Sequence, residues 1–145
     1  MAENSSNTAA GSHRSGVKRL IIMRHAEADW GLNDFDRPLT KRGHEQAAAA
    51  GAWLAARGYI PEQIMSSSAL RTRQTTTWVS DGLGAKAPTA HLDEGLYEVS
   101  ASRIIARINS VSENVHSLMV VSHLPGVQDA AQRLMSPDSD RKSVV

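Results

Sequence analysis

Apolar residues in this chain fall into short continuous runs that alternate with longer stretches of helical spacing. Val17-Lys18-Arg19-Leu20-Ile21-Ile22-Met23 has the length and β-branched content of a buried strand, and it stops abruptly at Arg24-His25. Thr40 then offers an N-cap to an alanine-rich helix that continues to Arg57, with Gly58 as its stop. On that helix Ala47, Gly51, Leu54 and Ala55 share one face, and their small size predicts close packing against a sheet. A short strand at Gln63-Ile64-Met65 leads through a serine cluster into a second helix over 70–80, ended by Asp81-Gly82. Residues 88–92 read as an edge strand, where a leading proline is tolerated. Ile104, Ile105 and Ile108 give helical spacing to 100–111, Leu118-Met119-Val120-Val121 reads as a buried strand, and a last helix is expected over 125–135.

Strands alternating with helices predict an α/β fold, a three-layer sandwich with a mainly parallel central sheet, and such sheets gather ligands at the carboxyl ends of their strands. Three strand ends carry conspicuous polar residues: Arg24-His25, then Ser66-Ser67-Ser68 with Arg71, then Ser122-His123.

Composition removes several alternatives. Residues 1–16 are rich in Ser, Asn, Ala and Gly and read as a disordered tail, leaving 17–145 as one domain of ordinary size. Lys plus Arg number 16 against 15 for Asp plus Glu, so no overall field argues for nucleic acid or an anionic membrane as partner. The absence of cysteine excludes disulfides, thiolate catalysis and Cys-ligated zinc. No apolar run approaches the roughly 18 residues of a membrane span, and 1–16 lack the apolar centre of a signal peptide, so a cytoplasmic location is expected. His13, His44, His91 and His116 show no ligand spacing and are read as surface residues, as is Arg73. Trp30, Trp53 and Trp78 are read as packing residues, with Trp30 close enough to Arg24-His25 to border a pocket.

Two histidines and two arginines on one rim suit phosphoryl transfer, which needs positive charge on the equatorial oxygens and an in-line nucleophile. His25 can attack through one ring nitrogen while the other donates a hydrogen bond that fixes the tautomer. Arg24 and Arg71 offer planar forks for phosphate, and amides at the helix start near Ser68 and Leu70 can add to them. His123, on the far side of the phosphate, can stabilise developing charge if protonated.

Arg24-His25-Ala26-Glu27 resembles the signature of the histidine phosphatase superfamily, which includes phosphoglycerate mutases and acid phosphatases, with Ala26 where glycine is more usual. Arg37-Pro38-Leu39-Thr40 with Gly43, Ser67-Ser68-Ala69-Leu70-Arg71-Thr72-Arg73-Gln74-Thr75, and Val121-Ser122-His123-Leu124-Pro125 follow in the order seen in its small bacterial members, the SixA-type phosphohistidine phosphatases. The resemblance covers Val17 to about Met135. It implies a phosphoglycerate mutase-like fold in minimal form, His25 as the phosphorylated nucleophile, Arg24, Arg71 and His123 as the rest of the phosphate pocket, and no metal or other cofactor. By the same resemblance Arg37 is a further phosphate contact. Glu94, within Leu92-Asp93-Glu94-Gly95-Leu96-Tyr97, is implied as proton donor through likeness to the mutase branch, with Glu98 and Glu27 as substitutes.

Between Arg71 and His123, elements of average length use nearly all the chain, which leaves no room for a lid domain. An open site suits a phosphohistidine presented on a protein, since small sugar phosphates are usually enclosed. The alternatives are a phosphatase for a small phosphomonoester and a phosphate-binding interaction module without turnover, against which the intact set of four residues argues. Family members usually add a strand after the last helix. Here the chain passes through Ser136-Pro137-Asp138-Ser139-Asp140 to Val145, so either the sequence is truncated or Ser143-Val144-Val145 is a remnant of that strand.

Overall fold

A computed structural model describes residues 16–31, 33–136 and 143–145, so the tail expected over 1–16 lies, Gly16 apart, outside the described residues. Among these, the strands are β1 (Arg19–Arg24), β2 (Gln63–Ser67), β3 (Ala90–Asp93), β4 (Ser117–Ser122) and the two-residue β5 (Ser143–Val144). The helices between them are α1 (Lys41–Ala56), α2 (Leu70–Leu83), α3 (Ala101–Asn109) and α4 (Gly126–Leu134). The strands lie in the order β3-β2-β4-β1-β5 with every pairing parallel. β3 begins at Ala90 rather than Pro88 and is an edge strand. β5 pairs with Arg19 and Leu20 of β1 at the other edge.

Side chains leave a strand on alternate faces, and each face has its own core. Ile21, Ile64, Met119 and Val121 pack with Ala47 and Leu54 of α1 and Val79 and Leu83 of α2. Leu20, Met65, Leu118 and Val120 pack with Ala101, Ile104 and Ile108 of α3 and Val127, Ala130 and Leu134 of α4. Two helix starts carry side-chain caps, Thr40 Oγ1 accepting from Gly43 N at 2.9 Å and Ser100 Oγ from Arg103 N at 3.4 Å, whereas α2 and α4 start without one.

The small residues of α1 serve a different neighbour from the one expected. Ala47 and Leu54 do reach the sheet, but Gly51 faces α2, where an added Cβ would stand 2.1 Å from the Val79 carbonyl oxygen. Gly82 answers it from α2, with its own Cβ position 2.2 Å from the Ala48 carbonyl oxygen. The two helices therefore touch backbone to backbone. No helix among the described residues is long and apolar enough to cross a membrane.

The chain's path positions the site. It steps from β1 to β2 to β3 through α1 and α2 on one face, then returns to β4 and β5 through α3 and α4 on the other. β4 sits between β2 and β1, whose outgoing helices lie on the opposite face from its own, and a crevice opens at the carboxyl end of such a reversal.

Candidate active site

β1 and β4 pair with Arg24 opposite Ser122, so His25 and His123 are the first residues beyond the sheet on adjacent strands. The His25 amide donates to the Ser122 carbonyl at 3.1 Å, and the two imidazole centroids are 5.5 Å apart.

His25 Nδ1 lies 2.7 Å from the Ala26 carbonyl oxygen. A carbonyl can only accept, so Nδ1 carries the proton and the neutral ring keeps its lone pair on Nε2. Arg71 Nε donates to that Nε2 at 3.3 Å. The turn beneath is fixed by Ala26 N donating to Thr75 Oγ1 at 3.0 Å, with Thr75 Oγ1 itself bonded to the Arg71 carbonyl. Burial pushes the His25 pKa below its ordinary value, and the charges of Arg71, Arg24 and Arg37 push the same way against the Ala26 hydrogen bond.

Arg71 lies in the first turn of α2 and is 3% exposed, so its charge needs a partner. Asp34 supplies it twice: Arg71 Nη1 donates to the Asp34 carbonyl at 2.6 Å and Nη2 to its carboxylate Oδ2 at 3.0 Å. Asp34 begins a single 3-10 turn (Asp34–Asp36) that Asn33 caps, between β1 and α1. The Tyr97 hydroxyl donates to Oδ2 and Arg37 Nη1 to Oδ1 at 3.2 Å. These hydrogen bonds, Tyr97's foremost, hold the Asp34 carboxyl well below the usual carboxylate range. The same bond to Asp34 pushes the Tyr97 phenol up to about 12.

His123 is 4% exposed, with Nε2 at 2.8 Å from Ser67 Oγ at the end of β2 and the Tyr97 ring edge-on at 5.4 Å. Its Nδ1 is buried without a hydrogen-bond partner. Burial, then the charges of Arg71 and His25, lower its pKa to about 4, so the imidazole is neutral at pH 7. The protonated form considered from sequence is therefore not the resting one.

The other expected site residues are spread around this centre. Arg24 is exposed at the end of β1 and, with His25, lines a cavity of 320 Å³ on the α1 side. A larger apolar cavity of 540 Å³ lies between β1, α1 and Val145 and holds none of the rim residues. Ser68 Oγ is buried and unpartnered beside the start of α2. Arg37 lies over the Trp30 ring at 4.9 Å and donates through Nε to the Asp29 carbonyl at 2.9 Å, so it reaches the site through Asp34. Glu94 is exposed and opens a 3-10 turn (Glu94–Leu96) after β3, and no hydrogen bond or ion pair joins it to His25, Arg71 or His123. Glu27 is engaged with Thr40 and Arg42 at the start of α1, and Glu98 is exposed with a φ of +49°.

Sequence reasoning missed Asp34, Tyr97, Ser67 and Thr75. Asp34 stands three residues before Arg37, the spacing of an ion pair across one turn, and that was its only local signal. Some surface assignments also shift. His44 is half-buried and stacked on Trp78 at 4.9 Å, and Trp53 is 46% exposed beneath the Arg57 guanidinium. His13 lies outside the described residues.

A parallel sheet with histidines on neighbouring strand ends and a buried arginine facing one of them defines an α/β protein with a cationic rim. The profile of the histidine phosphatase superfamily (branch 1) matches residues 20–124, and the chain belongs to that superfamily. Its fold is that of the SixA and phosphoglycerate mutase-like proteins. A solved structure assigned to the phosphohistidine phosphatase SixA of Agrobacterium tumefaciens is 29% identical, with a TM-score of 0.76 over 84% of this chain and 79% of that one. The protein histidine phosphatase SixA complexed with tungstate is 28% identical, with a TM-score of 0.73 over 86% and 81%. An uncharacterized protein of Mycobacterium tuberculosis is 40% identical over 105 residues, 71% of this chain and 63% of its own length. The chain thus spans under two thirds of that relative.

Proposed function

We propose that this chain is a phosphatase that works through a phosphohistidine on His25 and takes its phosphate from phosphohistidine in a protein. The observation that carries the reading is the state of His25: Nδ1 tied to the Ala26 carbonyl, Nε2 unprotonated, and a buried arginine facing that nitrogen. A lone pair on Nε2 forms the new nitrogen to phosphorus bond as the substrate's own bond to phosphorus breaks, and the departing imidazole of the substrate takes a proton from solvent. Water then attacks the phosphorus, phosphate leaves, and His25 is restored.

Arg71 and Arg24 would neutralise the phosphoryl oxygens, and Arg37 would join them once drawn from its place over Trp30. His123 Nδ1 and Ser68 Oγ are buried without partners, each at a cost of roughly 1–3 kcal/mol that a phosphoryl oxygen within reach would offset. A dianion beside His123 would also raise its pKa and favour the protonated form that stabilises developing charge. Phosphohistidine is favoured over an ester because imidazole, a far weaker base than an alkoxide, leaves with little need of a strong acid, and Glu94 is not joined to the rim. The similarity to proteins described as phosphohistidine phosphatases and to one complexed with tungstate, a tetrahedral oxyanion, supports the same choice. Likeness to a phosphoglycerate mutase of Mesorhizobium japonicum, 30% identical over 86 residues, keeps a small phosphomonoester as the second reading.

The test offers the protein a phosphohistidine peptide and p-nitrophenyl phosphate in parallel, beside His25→Ala. Phosphate release from the peptide that depends on His25, with an acid-labile phosphate on His25 in a quenched sample, is the expected result. No release above the His25→Ala control on either substrate overturns the phosphatase reading, and preference for the ester overturns the substrate.

A further inference from the structure

Arg71 presents its donors in an arrangement that a phosphoryl group would have to contest with a carboxylate. Nε and Nη2 lie along one edge of a guanidinium, the edge that grips an oxyanion with two parallel hydrogen bonds. Here Nε is spent on His25 Nε2 and Nη2 on Asp34 Oδ2, while Nη1 is held by the Asp34 carbonyl. Once His25 Nε2 bonds to phosphorus it has no lone pair left to accept, so Arg71 Nε must turn to a phosphoryl oxygen. The second oxygen of that grip would then fall on Nη2, so that a phosphoryl oxygen and the Asp34 carboxylate, both anionic, would crowd the two hydrogens of one nitrogen. The other Asp34 oxygen occupies Arg37, the further arginine assigned to phosphate.

From this we infer that Asp34 is a positioning residue that stands in for phosphate: its carboxylate holds Arg71 and Arg37 in the free protein and is displaced when a phosphoryl group binds. The inference rests on the phosphate-site reading of His25 and Arg71. A carboxylate in this role sets a threshold. A weakly coordinating anion cannot match the three side-chain hydrogen bonds Asp34 receives, whereas a tetrahedral dianion offers more charge and more acceptor atoms to the same donors. The turn can yield Asp34 without unravelling, because Asn33 and Asp36 clasp each other independently, through Asn33 Nδ2 to Asp36 Oδ2 at 3.0 Å and Asp36 N to Asn33 Oδ1 at 3.1 Å. Tyr97 holds the same carboxylate from the loop after β3, with its ring against Phe35 of the turn at 5.1 Å, so displacing Asp34 also frees the Tyr97 hydroxyl.

The probe is sodium tungstate, titrated calorimetrically into the wild-type chain and into Asp34→Asn, Tyr97→Phe, Asp36→Asn and Arg71→Ala, with melting temperatures measured for each. Asp34→Asn keeps an acceptor for Arg71 and removes the competing charge. Its dissociation constant for tungstate should fall about tenfold, as expected when a ligand no longer has to displace an internal occupant. Tyr97→Phe leaves the carboxylate but loosens it and should tighten binding two- to threefold, by the same argument on a smaller scale. Asp36→Asn removes an equal charge from the same turn without touching Arg71 and should change binding by less than about twofold. Unchanged or weaker binding in Asp34→Asn overturns the proposal, and so does equal tightening in Asp36→Asn. Should Asp34→Asn not fold, Tyr97→Phe decides, and no tightening there overturns it. Wild-type binding that is absent, or that survives Arg71→Ala, defeats the phosphate-site reading and the proposal with it. Binding through Arg71 without the Asp34 effect defeats the proposal alone.

Discussion

The ends of β1 and β4 are adjacent and in register, yet each treats its histidine differently. At the end of β1 the imidazole is half-buried, one nitrogen tied to the next carbonyl and the other turned to an arginine. At the end of β4 the ring is sealed beneath Tyr97 and against Ser67, with one nitrogen bonded to a hydroxyl and the other to nothing. The residue type is the same, so the difference comes from what the backbone does one step past the strand. β1 runs into an open loop whose own carbonyl sets the tautomer. β4 turns at Leu124-Pro125 into a helix, leaving its histidine under the sheet's edge. A nucleophile needs an accessible lone pair; a group that receives charge late is better kept dry and neutral until the charge arrives.

The sharpest way to break this contrast is to remove each histidine in turn. His25→Ala should cost about 10³-fold or more in phosphate release with little change in melting temperature, because no other group can carry the covalent intermediate. Arg71→Ala should cost on the order of 100-fold in kcat/KM, and a loss under threefold would remove Arg71 from the site. His123→Ala should cost about tenfold in turnover and, unlike His25→Ala, destabilise the fold by about 1–3 kcal/mol, since the buried Ser67 hydroxyl loses its ring partner and keeps only the Ala69 amide that donates to it. Equal behaviour of the two histidine variants in both assays would erase the distinction between the strand ends.

A pH titration separates the same two residues with smaller effects. His123 titrates at about 4 in the folded chain against about 6.5 when unfolded. Between those values the unfolded chain binds the extra proton, so stability should fall as pH drops from 6.5 towards 4, and His123→Gln should flatten that slope in urea denaturation. Asp34, ionised well below the usual carboxylate range, keeps its contribution through most of that window. The His25 pKa is also lowered, so the acid limb of kcat/KM in the free enzyme should lie below the 6.5 of an ordinary imidazole.

β1, β2 and β4 were legible because their apolar runs fill a core on each face of the sheet, β3 only through the proline that precedes an exposed edge strand, and the start of α1 because Thr40 acts through a local hydrogen bond. His25 and His123 were legible because each sits one residue past a strand, and Arg71 because it lies in the first turn of the helix that follows the serine cluster. Asp34 and Tyr97 were not. They occupy loops without periodicity, and the bonds that give them meaning span 37 residues from Asp34 to Arg71 and 63 from Asp34 to Tyr97. Glu94 drew attention instead through the likeness of its segment to the mutase branch, whereas in space the carboxylate on the arginine comes from the loop after β1. The small face of α1 was likewise assigned to the sheet, since a helical stripe reports that something approaches closely without saying what.

The backbone contact at Gly51 and Gly82 is mechanical as much as structural. Helices separated by side chains can slide as rotamers change, but two backbones in direct contact have no such compliance, and α1 and α2 should move as one stiff plate. Arg71 stands at the leading edge of that plate, and the loop bearing Asp34 is anchored to it through Thr40 at the start of α1 and through Leu39 N donating to Gln74 Oε1 at 2.7 Å. Any flexing needed to admit and release an anion is thereby concentrated in the Asp34–Asp36 turn, like a spring clip mounted on a rigid bracket.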